Sequence, residues 1–451
     1  MKILFVNASK QWEGRTYQEY PYGIGILATL TSEAGHSVHI LDMAVDKRDV
    51  LSVIASFQPE VVAVSFFSPA LQIASELIRA LKKSYSGVIM AGGIHSTLYP
   101  ESVLSYGADL VMIGEGELTI LSVLQAIQLP PGQVRDTALG NIPDLAYIDH
   151  FGKTLRTRPQ TQSVDLDALP IMNRNLFNLD LYSHHTILTS RCCPYQCRFC
   201  CSWAPGGKRG RIMSPDRILR ELEWLVSSYG PLTLYWGDEI FFWNRRDRLD
   251  FCRILEKKHL PIRFIMQIRA DLIDVELVAR LIRVGCVKIC IGAESGSDVL
   301  LRTANKKVIA AQVEQAIKIC VEAGVPCKTW WMVGLPGGDR EDQLMALDII
   351  SRARPNEVAV HQFVPLPGSE FWDHADQYGI CLPKETQFNS LSYYANPEKL
   401  NYKYISGQEL NEILRIYERR LLEMGYIPTD LAGPDDTYVF TTPFQNTTFD
   451  I

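Results

Sequence analysis

The sequence predicts an α/β protein in two parts, a doubly wound parallel sheet followed by a partial (βα)6 barrel, with a small helical C-terminal tail. Three observations carry this. Five short apolar runs separated by helix patterns fill the first 128 residues, six strand patterns alternating with helices follow residue 184, and five cysteines crowd into 192–201, directly after the first strand of the second series. Short buried strands alternating with helices describe parallel sheets with crossover connections.

In the first part, 2–7 is an apolar strand pattern, 23–34 has helical periodicity and stops at Gly35, a good C′ residue, and 37–41 is the second strand. Strand 61–65, helix 70–83, strand 88–91, another helix pattern, strand 110–113 and helix 118–127 complete a flavodoxin-like succession over 1–128. Ligands of such sheets gather at the carboxyl ends of the strands. Those ends are Ser65-Phe66-Phe67-Ser68, Ala91-Gly92-Gly93-Ile94-His95 and Ile113-Gly114-Glu115-Gly116-Glu117. Residues 129–183 lose the periodicity and carry Pro130, Pro131, Pro143, Pro159 and Pro170, which predicts a connector.

The second series, 184–385, sets strands at 186–189, 232–236, 264–268, 287–291, 328–333 and 358–363, with helices at 215–228, 247–258, 275–284, 311–323 and 340–353. Ser214 and Pro215 form an N-cap and N1 pair. Barrels of this kind do their chemistry at the carboxyl ends of the strands, which puts the cysteine loop at the mouth. The tail, 386–451, has one helical pattern at 409–424 and a polar end at 441–448.

Composition narrows the function. At 451 residues the chain supports two to three cores, and 47% hydrophobic with 21% charged residues is ordinary for a globular protein. No run of about 18 apolar residues predicts a membrane span, and the segment after Met1 reads as a strand rather than a signal peptide. A net charge of −6 argues against a nucleic-acid partner. Lys208, Arg209 and Arg211 form a local basic cluster, a solvated loop or a contact for an anionic ligand. Eleven cysteines without a signal peptide predict the reducing cytoplasm and a metal site rather than a disulfide scaffold. Cys252, Cys286, Cys290, Cys320, Cys327 and Cys381 are expected mostly to pack as small hydrophobes.

Cys193-Pro194-Tyr195-Gln196-Cys197-Arg198-Phe199-Cys200 spaces its thiolates by three and then two residues. Soft ligands favour iron–sulfur, zinc or copper(I). A structural zinc site takes four closed ligands, usually as two pairs, and no second pair follows Cys197 and Cys200. A redox dithiol gives Cys193 no role. Three thiolates on a four-iron cluster leave one iron open for chemistry, with Cys192 and Cys201 as neighbours that blur the register.

This loop resembles that of the radical S-adenosylmethionine (SAM) enzymes, and the strand ends around it are similar to theirs. The resemblance implies one 4Fe–4S cluster on Cys193, Cys197 and Cys200, with SAM on the open iron and Phe199 near the adenine. Gly237 with Asp238 or Glu239 stands where the family holds the methionine amine. Arg269 resembles a polar SAM contact, and Gly292-Ala293-Glu294-Ser295-Gly296 resembles the Gly-x-Glu-Ser-Gly turn, which brings Glu294 and Ser295 to SAM. Gly338 departs from the pattern, standing where many relatives carry an acid.

The order of domains resembles the cobalamin-binding class of that family, as does the run from Glu19 to Ala28. The resemblance implies cobalamin against Ser65, Ser68, Gly92, Gly93, His95, Glu115 and Gly116. No Asp-x-His-x-x-Gly motif is present, and His95 is expected to pack or hydrogen-bond rather than to ligate cobalt. Trp203, Trp236, Trp243, Trp330 and Trp331 are candidates for a dry reaction gap, with core packing as the alternative. The implied function is a cobalamin-dependent methyltransferase acting on an unactivated carbon of a small-molecule, natural-product or lipid intermediate. A reducing system such as flavodoxin or ferredoxin would supply its electrons. A cobalamin-dependent cyclase or rearrangement enzyme without methyl transfer, and a non-catalytic iron–sulfur redox protein, are the alternatives.

Overall fold

The computed structural model describes residues 1–9, 20–182, 184–202, 210–242, 244–391, 402–429 and 438–442. The chain divides into two compact units. The first holds the described chain through Tyr182 together with Lys384–Asn389, and the second holds 184–383 and the described residues from 390 onward. Each has one sheet at its centre.

The first sheet contains β1 (Lys2–Asn7), β2 (Ser37–Asp42), β3 (Val61–Ser65), β4 (Val88–Gly92), β5 (Leu110–Met112), β6 (Leu145–Ile148) and β7 (Thr154–Arg156), in the order β2-β1-β3-β4-β5-β6-β7. The first five pair in parallel. Their near-continuous apolar runs, such as Ile3-Leu4-Phe5-Val6, are buried, as a sheet covered on both faces requires. Helix Leu71–Ser84 shows the matching pattern, burying Leu71, Ala74, Ile78 and Leu81 along one stripe.

Two expectations change here. Helix Val50–Phe57 was not expected from its eight residues, although Asp49 caps it by accepting from the Ser52 N–H at 2.8 Å. The segment predicted as a connector instead adds a helix, Gln133–Gly140, and the strands β6 and β7, which pair antiparallel with β5 and with each other. Leu145, Ala146 and Tyr147 are buried and continue the core, while the prolines lie outside both strands.

In the second unit, β8 (His185–Ile187) leads into the two-residue pair β9 (Ser190–Arg191) and β10 (Arg211–Ile212). The main sheet continues with β11 (Leu232–Trp236), β12 (Ile262–Ile268), β13 (Cys286–Glu294), β14 (Cys327–Val333) and β15 (Glu357–Gln362). Together with β8 these are six parallel strands in the order β15-β14-β13-β12-β11-β8. The tail is more than helical. Besides Gly407–Glu423 it supplies β16 (Ile427–Pro428) and β17 (Tyr438–Thr441), which extend the sheet antiparallel beyond β15. No helix among the described residues is long and apolar enough to cross a membrane.

Candidate functional site

The cysteine loop is fastened from below by the turn 303–307. The Arg198 N–H donates to the Ala304 carbonyl at 2.9 Å and its guanidinium to the Thr303 carbonyl at 2.8 Å, while the Asn305 side chain donates to the Gln196 carbonyl at 2.7 Å. Arg198 also pairs with Glu370 at 2.7 Å. Within the loop, the Cys200 N–H donates to the Cys197 carbonyl at 3.0 Å, and Cys192 sits at φ 61°. The cysteines of this loop are free of disulfides.

Two buried cations lie against Cys197. Arg269, at the end of β12, stacks on the Tyr195 ring with 3.7 Å from guanidinium to centroid, and its Nη1 lies 3.8 Å from the Cys197 sulfur. Its other nitrogens donate to Asp271 at 2.9 Å and to the Lys306 carbonyl at 2.6 Å. Lys306 bonds Glu294 at 2.7 Å, and its ammonium stands 5.7 Å from the Phe199 ring centroid. Burial pushes Cys193 up to about 11 and Cys200 up to about 12, and raises Cys197. Thiols held so high bind metal with release of protons. Three sulfurs in one loop, backed by two cations, suit the charge of a thiolate-bound cluster. A structural zinc site takes a closed set of four ligands in two pairs, so three thiols in this one loop fit an iron–sulfur cluster better than zinc.

The strand ends divide the expected SAM residues by role. Asp238 is wholly enclosed and accepts from the N–H groups of Thr189 and Ser190 at 2.7 and 2.8 Å, from the Thr189 hydroxyl, and from the Trp236 indole at 2.9 Å. With both oxygens engaged it ties β11 to the start of the cysteine loop. Its neighbour Glu239 is solvent-accessible yet surrounded by protein, within electrostatic reach of Cys193, Cys200 and Cys201, and burial raises its carboxyl. Glu239 also hydrogen-bonds the Ser202 side chain, and of the two acids it is the solvent-accessible one. The Gly237 N–H donates to the Ile187 carbonyl at 2.9 Å.

Glu294 ends β13 at φ 65°, beyond a register shift, which turns its carboxylate to Lys306. Ser295 is buried, and its hydroxyl accepts from the Ser297 N–H at 3.1 Å. Gly296 is required by close approach, since a Cβ there would lie 2.4 Å from the backbone at Met345 and Ala346. Where Gly338 departs from the family pattern, Asp342 fills the space: its carboxylate would lie 2.7 Å from a Cβ at 338 and accepts from the Asp339 N–H at 3.1 Å and from the Ser297 hydroxyl. Sequence reasoning missed Lys306 and the turn around it. It also left Trp236 and Trp331 open, and both are fully buried core residues, Trp236 among Phe241, Phe251 and Phe264. Trp203, Trp243, Lys208, Arg209, Glu19 and 443–448 lie outside the described residues.

In the first unit, Ser65 and Gly92 pair in register at the carboxyl edge. Gly93, at φ +90°, passes so close to the next turn that a Cβ would lie 2.8 Å from the Ser65 hydroxyl and 2.9 Å from the Phe66 carbonyl. The Gly114 N–H donates to the Thr97 hydroxyl at 2.9 Å, linking the β5 turn, with Glu115 and Gly116, to the helix after β4. Among the described residues nothing lies within 4 Å of a Cβ placed on Gly92 or Gly114, and Phe67 and Leu118 stand 58% and 44% exposed on the same edge. A glycine-lined shelf with bare apolar side chains fits a flat macrocycle such as cobalamin.

His95 is fully buried. Its Nδ1 lies 3.0 Å from the Ser68 hydroxyl, its ring stacks on Phe66, and Tyr99 and Phe388 enclose it, leaving Nε2 without a partner among the described residues. Burial lowers His95 to about 4, and His184 likewise. With folded values below the ordinary 6.5, the unfolded chain takes up these protons first as pH falls. Their contribution to stability is complete above pH 6.5 and is lost progressively toward pH 4. A single such histidine is expected to remove about 2 kcal/mol between pH ~7.5 and pH ~5. Urea unfolding at the two pH values checks this, and His95→Gln should flatten the dependence.

A three-thiol loop at the mouth of an open βα sheet, with a doubly wound unit ahead of it, defines an iron–sulfur protein of two α/β units. Residues 15–124 match the B12 binding domain model and residues 187–349 the Radical SAM superfamily model. An uncharacterized methyltransferase of Pyrococcus horikoshii is 26% identical over 434 residues, 92% of this chain and 91% of its own. The anaerobic magnesium-protoporphyrin IX monomethyl ester cyclase of Cereibacter sphaeroides is 22% identical over 444 residues, 94% of this chain and 71% of its own. Among solved structures, the radical SAM methyltransferase TsrM of Kitasatospora setae, with cobalamin and a 4Fe–4S cluster bound, matches with a TM-score of 0.74 at 18% identity, covering 94% of this chain and 90% of that one. At that identity the likeness shows the fold. The chain thus carries a B12 binding domain followed by a radical SAM domain, the domain pair of the cobalamin-binding radical SAM enzymes, with a 4Fe–4S cluster, SAM and cobalamin as the cofactors these domains take.

Proposed function

We propose that the protein is a cobalamin-dependent methyltransferase acting on an unactivated carbon of a small-molecule, natural-product or lipid intermediate. The observation that carries this is the pairing of a three-thiol loop, backed by Arg269 and Lys306, with a glycine-lined apolar shelf in the same chain. With their cofactors bound, such sites supply a hydrogen-abstracting radical and a transferable methyl group. The chain's own residues supply position and charge. Cys193, Cys197 and Cys200 hold the cluster, and Phe199 flanks it. Glu239 is the acid placed for an amine, and Glu294, held by the nearly enclosed Lys306, edges the same site, while Asp238, Gly237 and Ser295 fix the turns that carry them. Ser65, Gly92, Gly93 and Glu115 line the macrocycle's shelf, whereas Gly116, expected there too, is buried against Met112 and Leu27 and, like Ser68 and His95, braces it from within. A small reducing protein such as flavodoxin or ferredoxin serves it in the cytoplasm.

A second reading, radical cyclisation or rearrangement without methyl transfer, is favoured by the cyclase that aligns along nearly the whole chain. Turnover with methyl-labelled SAM and candidate substrates separates the two. Label in the product is expected; a converted but unlabelled product selects the second reading.

A further inference from the structure

The inner face of the second sheet carries side chains that the site above does not use. Strand alternation puts Lys288, Cys290 and Gly292 of β13, Lys328 and Trp330 of β14 and Glu357 of β15 on one face. The register agrees, pairing Cys290 with Lys328, Gly292 with Trp330 and Lys328 with Glu357. The opposite face, with Ile289, Ile291 and Trp331, is fully buried, whereas Lys288, Lys328 and Glu357 keep 20%, 22% and 18% of their side-chain exposure. Within this face Tyr235, Ile265 and Cys290 are buried, while Trp330 and the three charged side chains keep partial exposure.

Its chemistry changes along the strands. At the carboxyl end, a Cβ on Gly292 would lie 2.6 Å from the Glu294 carboxylate and 3.2 Å from the Lys306 ammonium, so the face begins at the site already described. Four residues lower, at about 3.3 Å each, it reaches Lys288 some ~13 Å away. Between them Trp330 packs with Tyr235, Ile265 and Cys290. At the lower end Lys288 bonds Glu357, and the Lys328 ammonium lies 3.8 Å from the same carboxylate. One carboxylate thus serves two ammonium groups, and among the described residues the Trp330 ring, 5.8 Å from the Lys328 nitrogen, adds the other support for that charge. A partly dehydrated cation in excess favours an added anion.

We infer that this face seats the substrate, which has an aromatic or apolar body against Trp330 and Tyr235 and ends in an anionic oxygen group, carboxylate or phosphate, on Lys288 and Lys328. The inference rests on the proposed activity, because it takes the carboxyl end of the face as the place of reaction. Equilibrium dialysis of the anaerobically reconstituted protein against 2-naphthoate, 2-naphthyl phosphate and 2-naphthol tests it. At least one anion is expected to bind about tenfold or more tighter than the neutral naphthol, and the stronger of the two identifies the terminal group. The preference should vanish in the K288M/K328M double variant and grow in E357Q, which frees both ammonium groups; the second variant keeps the test sharp if the first does not fold. Equal or absent binding of all three probes, or an E357Q protein that binds the anions no tighter, overturns the inference. Iron–sulfur absorbance and 5′-deoxyadenosine formation on the same wild-type sample report the proposed activity separately. A sample that cleaves SAM without discriminating the probes fails the inference alone.

Discussion

Alanine at Cys193, Cys197 or Cys200 is expected to abolish the visible iron–sulfur absorbance and, with it, all SAM cleavage. A cluster held by three thiolates has no spare protein ligand, so each loss is complete rather than partial. Cys192 and Cys201 provide the contrast. Cys192 stands in the left-handed region at the entrance of the loop, and Cys201 follows its last ligand. Alanine at either should leave the absorbance in place. Ultraviolet–visible spectra of the five variants after anaerobic reconstitution make the comparison. Full retention of the spectrum in C193A, C197A or C200A would refute the ligand assignment.

Lys306→Met should cost about 3–5 kcal/mol of stability, the penalty for stranding a buried carboxylate. The Glu294 and Lys306 side chains are only 12% and 8% exposed, so water cannot take the place of the lost ammonium. Glu294 also sits at positive φ, a conformation a glutamate keeps only where its surroundings hold it. The paired variant K306M/E294M removes the stranded charge and should regain part of the loss. Denaturant unfolding of the single and double variants gives the coupling directly. If the double variant is as unstable as the sum of its parts, the pair is not what holds this turn.

Much of this site was legible because its residues announce themselves in fixed spacing. The cysteine loop, the Gly-x-Glu-Ser-Gly turn and the glycine turns of the first sheet are local patterns at strand ends, and alternation of strand and helix located those ends. Lys306 was not legible. It lies after a six-residue helix, between Asn305 and Lys307, both in the left-handed region, and no periodicity marks such a turn. Only packing brings it under the loop. The choice between Asp238 and Glu239 was equally closed to sequence, because adjacent residues point opposite ways and only the bonds to Thr189 and Ser190 reveal which faces inward. The short strands β6, β7, β16 and β17 escaped for another reason: with two to four residues each they cannot display an alternation.

The central claim is that one chain holds both an open iron–sulfur cluster and a corrin. Iron, sulfide and cobalamin should be quantified after anaerobic reconstitution with hydroxocobalamin and desalting. The account predicts about four irons and about one corrin per chain. A chain that keeps its irons but emerges free of corrin would contradict it.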